Sequence, residues 1–207
     1  AFETRDSIIQ IAGAPAETLR LQWTENGPVL GPDDFGLGLV RPPGHVMAVR
    51  WTALSDRDTT MTAAMAIMRA ANVEDAVEAA RLFVAPSQNL VLADRNRVAM
   101  VTMGALPLRD PAHASQGRMP TLGWVAANRW LGLRPPEANP VWMDPAGGIV
   151  GNTNNKVLDA PFPDELSWLW GDSQRVQRWE FLMQSREIHT RDSFMEAQLD
   201  TVSPAAR

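Results

Sequence analysis

Residues 147–179 read GGIVGNTNNKVLDAPFPDELSWLWGDSQRVQRW, and this stretch organises the rest of the chain. A short apolar run, Gly148-Ile149-Val150, reads as a strand, and the neighbouring side-chain amides Asn154 and Asn155 follow it. An acidic, Pro-containing link then leads to Trp168, Trp170 and Gly171, and beyond them a helix carries Arg175 and Arg178. Two readings fit this pattern. Neutral donors at a strand end, facing an arginine, can hold a developing oxyanion. Alternatively, paired asparagines close a turn and the arginines lie on a solvated helix face.

Composition narrows the class. A chain of 207 residues with 45% apolar and 21% charged residues is ordinary globular material, long enough for a real core. The net charge of −5 disfavours nucleic acid and anionic membrane as partners. With no cysteine, disulfides and thiolate metal sites are excluded. No apolar run has the length of a membrane span, and no signal peptide is visible. The start at Ala1, without Met and close to strand-like sequence, reads as a cut from a longer polypeptide.

In chain order, Ser7–Ile11 and Leu19–Thr24 are β-prone runs around a Gly13-Ala14-Pro15 turn, which predicts a hairpin with Leu19, Leu21 and Trp23 on its half-buried face. Asn26–Leu30 is expected to break the ladder. Residues 31–44 read as a surface loop in which Asp33-Asp34 lacks the further oxygens a divalent ion needs. Val46–Leu54 reads as a strand. Met61, Met65 and Met68 then recur at helical spacing beside Ala64 and Ile67, either as adaptable core filling or as the wall of an acyl-chain pocket. Asn72 is placed to cap a second helix, with Asp75 bonding back and Val73, Val77, Ala80 and Val84 as the buried stripe. Pro86 ends it.

Residues 87–94 and 97–104 form a hairpin pattern around Arg95-Asn96, without a turn glycine. Asn96 would supply any left-handed backbone required there. Asp110 to Pro145 reads as a long ordered loop wrapped on the core by Trp124, Trp130 and Trp142. His45, His113 and His189 have no zinc spacing and no Ser-His-Asp partners, so they are surface or packing residues. Val176, Trp179, Leu182 and Met183 give one apolar helix face, and Thr190 or Arg191 opens a final helix through Phe194 and Ala197.

Several of these blocks resemble one family. NTNNKV, Phe162-Pro163 and LSWLWGDSQRVQRW are similar to the late β-subunit segment of penicillin acylases, which include cephalosporin and N-acyl-homoserine-lactone acylases. Trp23-Thr24 with Gly27-Pro28-Val29, the segment Val46–Leu54, and Pro86-Ser87-Gln88-Asn89 continuing through Ala93-Asp94 and Gly104 to Pro107 and Arg109 resemble further family blocks. So does TRDSFMEAQLD near the C-terminus. The similarity covers nearly the whole chain.

The resemblance implies an α/β (α+β) fold, part of an N-terminal-nucleophile (Ntn) hydrolase αββα sandwich of antiparallel sheets packed with helices and long ordered loops. Residues 1–207 would be one fragment of the β-subunit. Its partners would be the α-subunit, the remainder of the β-subunit and a small N-acyl amide, with no nucleic acid and no membrane. In such enzymes an N-terminal Ser is the nucleophile and its own α-amine the general base, which suits an amine of pKa near 8. Ala1 has no hydroxyl, so the fragment alone would be inactive. Carried over residue by residue, Asn154 is the oxyanion donor, and Arg175 orients the nucleophile and Asn154. Gln88, Ala64 and Met65 would line the acyl pocket, although Gln88 could equally join a strand-end hydrogen bond. No cofactor is required. Asp164 or Glu165 would be the carboxylate through which many relatives hold a structural calcium, with the other ligands upstream. Relatives are exported, which implies a periplasmic or secreted location. The alternative is a binding or scaffold module that keeps the fold and has lost the chemistry.

Overall fold

A computed structural model of the chain describes residues 2–161, 164 and 166–206. The chain forms two compact units, Ala1–Asp58 with Pro107–Gly132, and Thr59–Leu106 with Leu133–Arg207.

The first unit opens with strands β1 (Glu3–Ile9), β2 (Glu17–Thr24), β3 (Gly27–Leu30) and β4 (Met47–Ala48), antiparallel in that order. The predicted hairpin is present, with Ser7 opposite Leu19 and the turn glycine, Gly13, in left-handed backbone. Arg20 grips its cross-strand neighbour Asp6 at 3.0 Å. Leu19 and Leu21 are exposed rather than half-buried.

Residues 27–30 do not break the ladder. They are β3, pairing with β2 on one side and β4 on the other. The expected strand at 46–54 shrinks to two residues, Met47 and Ala48 opposite Leu30 and Val29; beyond them the Val49 N–H still reaches the Pro28 carbonyl, and the Val49 carbonyl is pressed against Gly27 too closely for any side chain there. Trp51 then leads into a 3-10 turn, Thr52–Leu54. The loop after β3 holds a kinked 3-10 segment, Asp34–Leu39, and Asp34 spends its carboxylate on the Gly31 N–H at 2.7 Å.

In the second unit, helix α1 (Thr60–Ile67) packs beside α2 (Val73–Ala80), and the hairpin β5 (Gln88–Ala93) and β6 (Val98–Met103) follows. The capping of α2 is as expected in kind. Asn72 Oδ1 accepts the Asp75 N–H at 2.8 Å, while the Asp75 carboxylate reaches back one residue further than foreseen, to the Ala71 N–H at 3.3 Å. Val73 and Val77 pack on Ala99, and Ala80 packs on Val101 and Met103, so α2 lies across one face of the hairpin. Val84 is only half-buried.

The methionine stripe is not core filling. Met61 and Met68 are 74% and 78% exposed and Met65 42%, because α1 approaches its neighbours through the small side chain of Ala63 instead.

The β5–β6 turn closes without left-handed backbone at Asn96. Asp94 does the work a glycine would: Oδ1 accepts the N–H groups of Asn96 at 2.7 Å and Arg97 at 2.9 Å, and Oδ2 accepts the Val73 N–H at the start of α2. These backbone donors hold the Asp94 carboxyl below its ordinary value of 3.8. A lowered pKa in the fold means stability that is full above the ordinary value and is lost as pH falls through the folded one. Asp94→Asn keeps the Oδ1 acceptor and turns an N–H donor against Val73, so it should lower the thermal midpoint. The gap from wild type should be widest above about pH 5 and narrow under acid. A pH-independent gap would contradict the linkage.

The chain then adds β7 (Pro107–Arg109), paired with β8 (Trp130–Leu133), and β9 (Val141–Met143), which adds to β6 with Ala99 opposite Met143. Residues 110–145, expected as one long ordered loop, therefore contain two short strands. Trp124 does not wrap on a core: it is exposed and stacks on His45, with ring centroids 5.6 Å apart. His113 is a packing residue, buried, with Nδ1 accepting the N–H groups of Ser115 and Gln116; burial lowers its pKa. Helices α3 (Gln174–Gln184) and α4 (Arg191–Gln198) end the unit. Thr190 and Ser193 form the capping box of α4.

Candidate active site

The site is built by one loop and one helix of the second unit. Ile149 and Val150 join no sheet, contrary to the strand expected there. Gly147 and Gly148 both adopt positive φ, and the Gly148 N–H turns back to the Pro145 carbonyl, which bends the segment away from any ladder. The loop after it is tied by its own side chains. Asn152 Oδ1 accepts the Asn154 N–H at 2.9 Å, an Asx turn. Asn155 Oδ1 accepts from the Thr153 N–H at 3.0 Å, from Thr153 Oγ1 and from Asn152 Nδ2, while its own Nδ2 donates to the Lys156 carbonyl.

The two asparagines of the pair thus have different fates. The amide of Asn155 is consumed within the loop. Asn154 sits in left-handed backbone, φ 66°, which asparagine tolerates better than other side chains. Its Oδ1 accepts from Arg175 Nη2 at 3.0 Å. A guanidinium can only donate, so the atom facing it must be the amide oxygen. The Asn154 Nδ2 group is left with no partner among the described residues. The arrangement is a neutral N–H donor whose orientation is set from behind by a cation.

Helix α3 is held in place from both sides. Asp172 accepts the Gln174 N–H at its start, and Arg178 makes a bidentate pair with Asp200, at 2.6 and 3.0 Å. That pairing holds the Asp200 carboxyl below its ordinary range. Trp179, one turn beyond Arg175, lies against Gly151, where a Cβ would run into the indole. Val176, Trp179, Leu182 and Met183 are half-buried, as their spacing predicts. A cavity of about 710 Å³ runs beside them, lined among others by Val91, Ile149, Trp179, Met183 and Phe194.

The other predicted site residues stand apart from this pair. Gln88 begins β5 opposite Met103, with its side chain exposed and unbonded among the described residues; the strand-end bond is made by Ser87 Oγ to the Met103 carbonyl. Ala64 is half-buried and Met65 exposed on α1. No hydrogen bond links these three to Asn154 or Arg175 among the described residues. Asp164 pairs with Arg134 at 3.1 Å, and Glu165 lies outside the described residues. No group of three acidic or histidine side chains that could hold a metal occurs among the described residues. Sequence reasoning missed Asn152 and the Gly151–Trp179 contact. The N-x-N spacing of an Asx turn was the available signal for the first.

The chain is thus a mixed α/β structure of small sheets and a few helices, with an asparagine–arginine pair at a loop of the second unit. A thermostable penicillin G acylase from Alcaligenes faecalis has the same fold, with a TM-score of 0.76 at 20% identity over 95% of this chain and 34% of that one. The chain belongs to the penicillin amidase family, whose model matches residues 1–207. An acyl-homoserine lactone acylase of Pseudomonas fluorescens is 30% identical over 177 residues, which are 86% of this chain and 21% of the relative. Penicillin acylase 2 proenzyme of Pseudomonas sp. is 25% identical over 201 residues, 97% of this chain and 24% of the relative. The chain thus spans about a fifth of the first of these relatives and a quarter of the second.

Proposed function

We propose that these residues form part of an amidohydrolase that cleaves linear N-acyl amides, with Asn154 as the side-chain donor to the oxyanion and Arg175 as the group that aims it. The observation that carries the reading is the Arg175–Asn154 hydrogen bond, which fixes the amide and leaves Nδ2 to face a reactant.

The chemistry is acyl transfer. A serine hydroxyl outside these residues attacks the amide carbon, its proton passing to the α-amine of the same serine. The carbonyl oxygen becomes an oxyanion and accepts the Asn154 N–H. Collapse expels the leaving amine with that proton and leaves an acyl ester. Water then repeats the sequence and releases the carboxylic acid. The donor has its full effect only where water is excluded. Asn154 and Arg175 are exposed within these residues, so closure falls to the remainder of the protein. Exposed apolar side chains such as Leu39, Met68, Ile188 and Leu199 support a large covered interface with that remainder. No helix of the described residues is long and apolar enough to cross a membrane; a periplasmic location remains part of the proposal.

The names of the relatives supply the substrate class: an N-acyl homoserine lactone or a penicillin, both N-acyl amides. The test is hydrolysis of phenylacetyl, glutaryl and short to long fatty-acyl amides by the full-length protein, with these residues alone as control. Turnover by the full-length protein only is the expected result. Turnover by the 207 residues alone, or by neither, would overturn the reading.

A further inference from the structure

We propose that Asn152 is a positioning residue for this reaction, fixing the loop so that the Asn154 amide faces the reacting carbonyl; the inference rests on the oxyanion role of Asn154. The Asn154 backbone is left-handed, a conformation that costs free energy for any side chain and persists only when its surroundings hold it. Arg175 restrains the side chain alone. What holds the peptide is Asn152, through Oδ1 on the Asn154 N–H at 2.9 Å.

Asn152 is in turn locked by its other end. Its Nδ2 donates to the carbonyl and the side-chain Oδ1 of Asn155, at 3.4 and 3.3 Å. Asn155 Oδ1 also gathers the Thr153 N–H, so one side chain ties the residues on both sides of Asn154. Asn152 is half-buried, whereas Asn154 is exposed. A held acceptor beneath an outward-facing donor is what preorganisation of an oxyanion donor needs, because a freely turning amide would spend the gain on ordering itself.

Residues that act through one another do not add. Asn152→Ala in the full-length protein should lower kcat about tenfold, the value of one ordinary hydrogen bond, with KM held within about twofold. Asn152→Ser keeps an acceptor for the Asn154 N–H without setting a second oxygen against those of Asn155 and should recover part of that loss; Asn152→Asp keeps the acceptor too, but its other oxygen would face the Asn155 carbonyl and Oδ1, so it should recover less. The decisive measurement is the double variant with Asn154→Ala. Once the donor is gone, removing Asn152 should cost no further kcat. Full additivity would overturn the inference while leaving Asn154 as donor, as would an Asn152→Ala variant with unchanged kcat. Unchanged turnover in Asn154→Ala alone would instead remove the oxyanion reading on which the inference rests. A loss in Asn152→Ala that neither aspartate nor serine relieves, and that tracks the thermal midpoint, would reduce Asn152 to a structural residue.

Discussion

Asn154→Ala in the full-length protein should lower kcat by a hundredfold or more, about 2.7–4 kcal/mol of transition-state stabilisation, with little change in KM. The size follows from what the side chain does. Its oxygen is fixed by Arg175 at 3.0 Å, so the N–H donor requires no reorganisation when charge develops on the substrate. Alanine also sits poorly in left-handed backbone, at a cost of about 1–2 kcal/mol. Asn154→Gly separates the two effects, because glycine accepts φ 66° freely and lacks the donor just the same. Both variants should lose turnover to a similar degree, and the alanine should lose more thermal stability than the glycine. Asn154→Asp should be the most damaging. It keeps the oxygen for Arg175 and replaces the donor with an acceptor facing the oxyanion. Steady-state kinetics on a good amide substrate, with melting curves alongside, gives all three results. An aspartate variant as active as wild type would contradict the assignment.

Gly151→Val should damage both fold and turnover. The indole of Trp179 occupies the space that any side chain at 151 needs. Overfilling a packed contact costs about 1–3 kcal/mol. The functional loss comes through helix geometry. Trp179 and Arg175 are four residues apart on α3, hence on one face, so a helix pushed off Gly151 carries Arg175 away from Asn154. A smaller side chain at the contact should relieve the clash: Gly151→Val with Trp179→Leu should melt higher than the sum of the single losses implies and recover part of kcat. If Gly151→Val matched wild type in both readouts, the docking of α3 would have no bearing on the site.

Some of this was legible in the sequence because the cause was local. The α2 cap needed only Asn72 and Asp75 within one turn, and its buried stripe follows a helical period. The β5–β6 hairpin announced itself by two apolar runs around a polar pair, although its turn is held by Asp94 rather than by left-handed asparagine. What was hidden depended on distant partners. Val141–Met143 becomes a strand because β6 offers an edge, and Met47–Ala48 because β3 does. Ile149–Val150 has strand composition, yet two left-handed glycines before it turn the chain away from any sheet. The methionines of α1 have helical spacing, which fixes a face but not what that face meets. The candidate site divides along the same line. No spacing rule joins Asn154 to Arg175 across 21 residues, and the resemblance supplied that pairing. The division of labour between Asn154 and Asn155 emerged only from the hydrogen bonds.

The most direct measurement of the central claim compares two ligands of the full-length protein: a tetrahedral transition-state analogue, such as a phosphonate bearing the preferred acyl group, and the carboxylic acid product. An oxyanion donor acts on the tetrahedral state and hardly at all on the ground state. Asn154→Gly should therefore weaken the analogue by about a hundredfold, in step with kcat/KM, and leave affinity for the acid within about twofold. Equal weakening of both ligands, or an analogue bound as tightly as by wild type, would contradict the account.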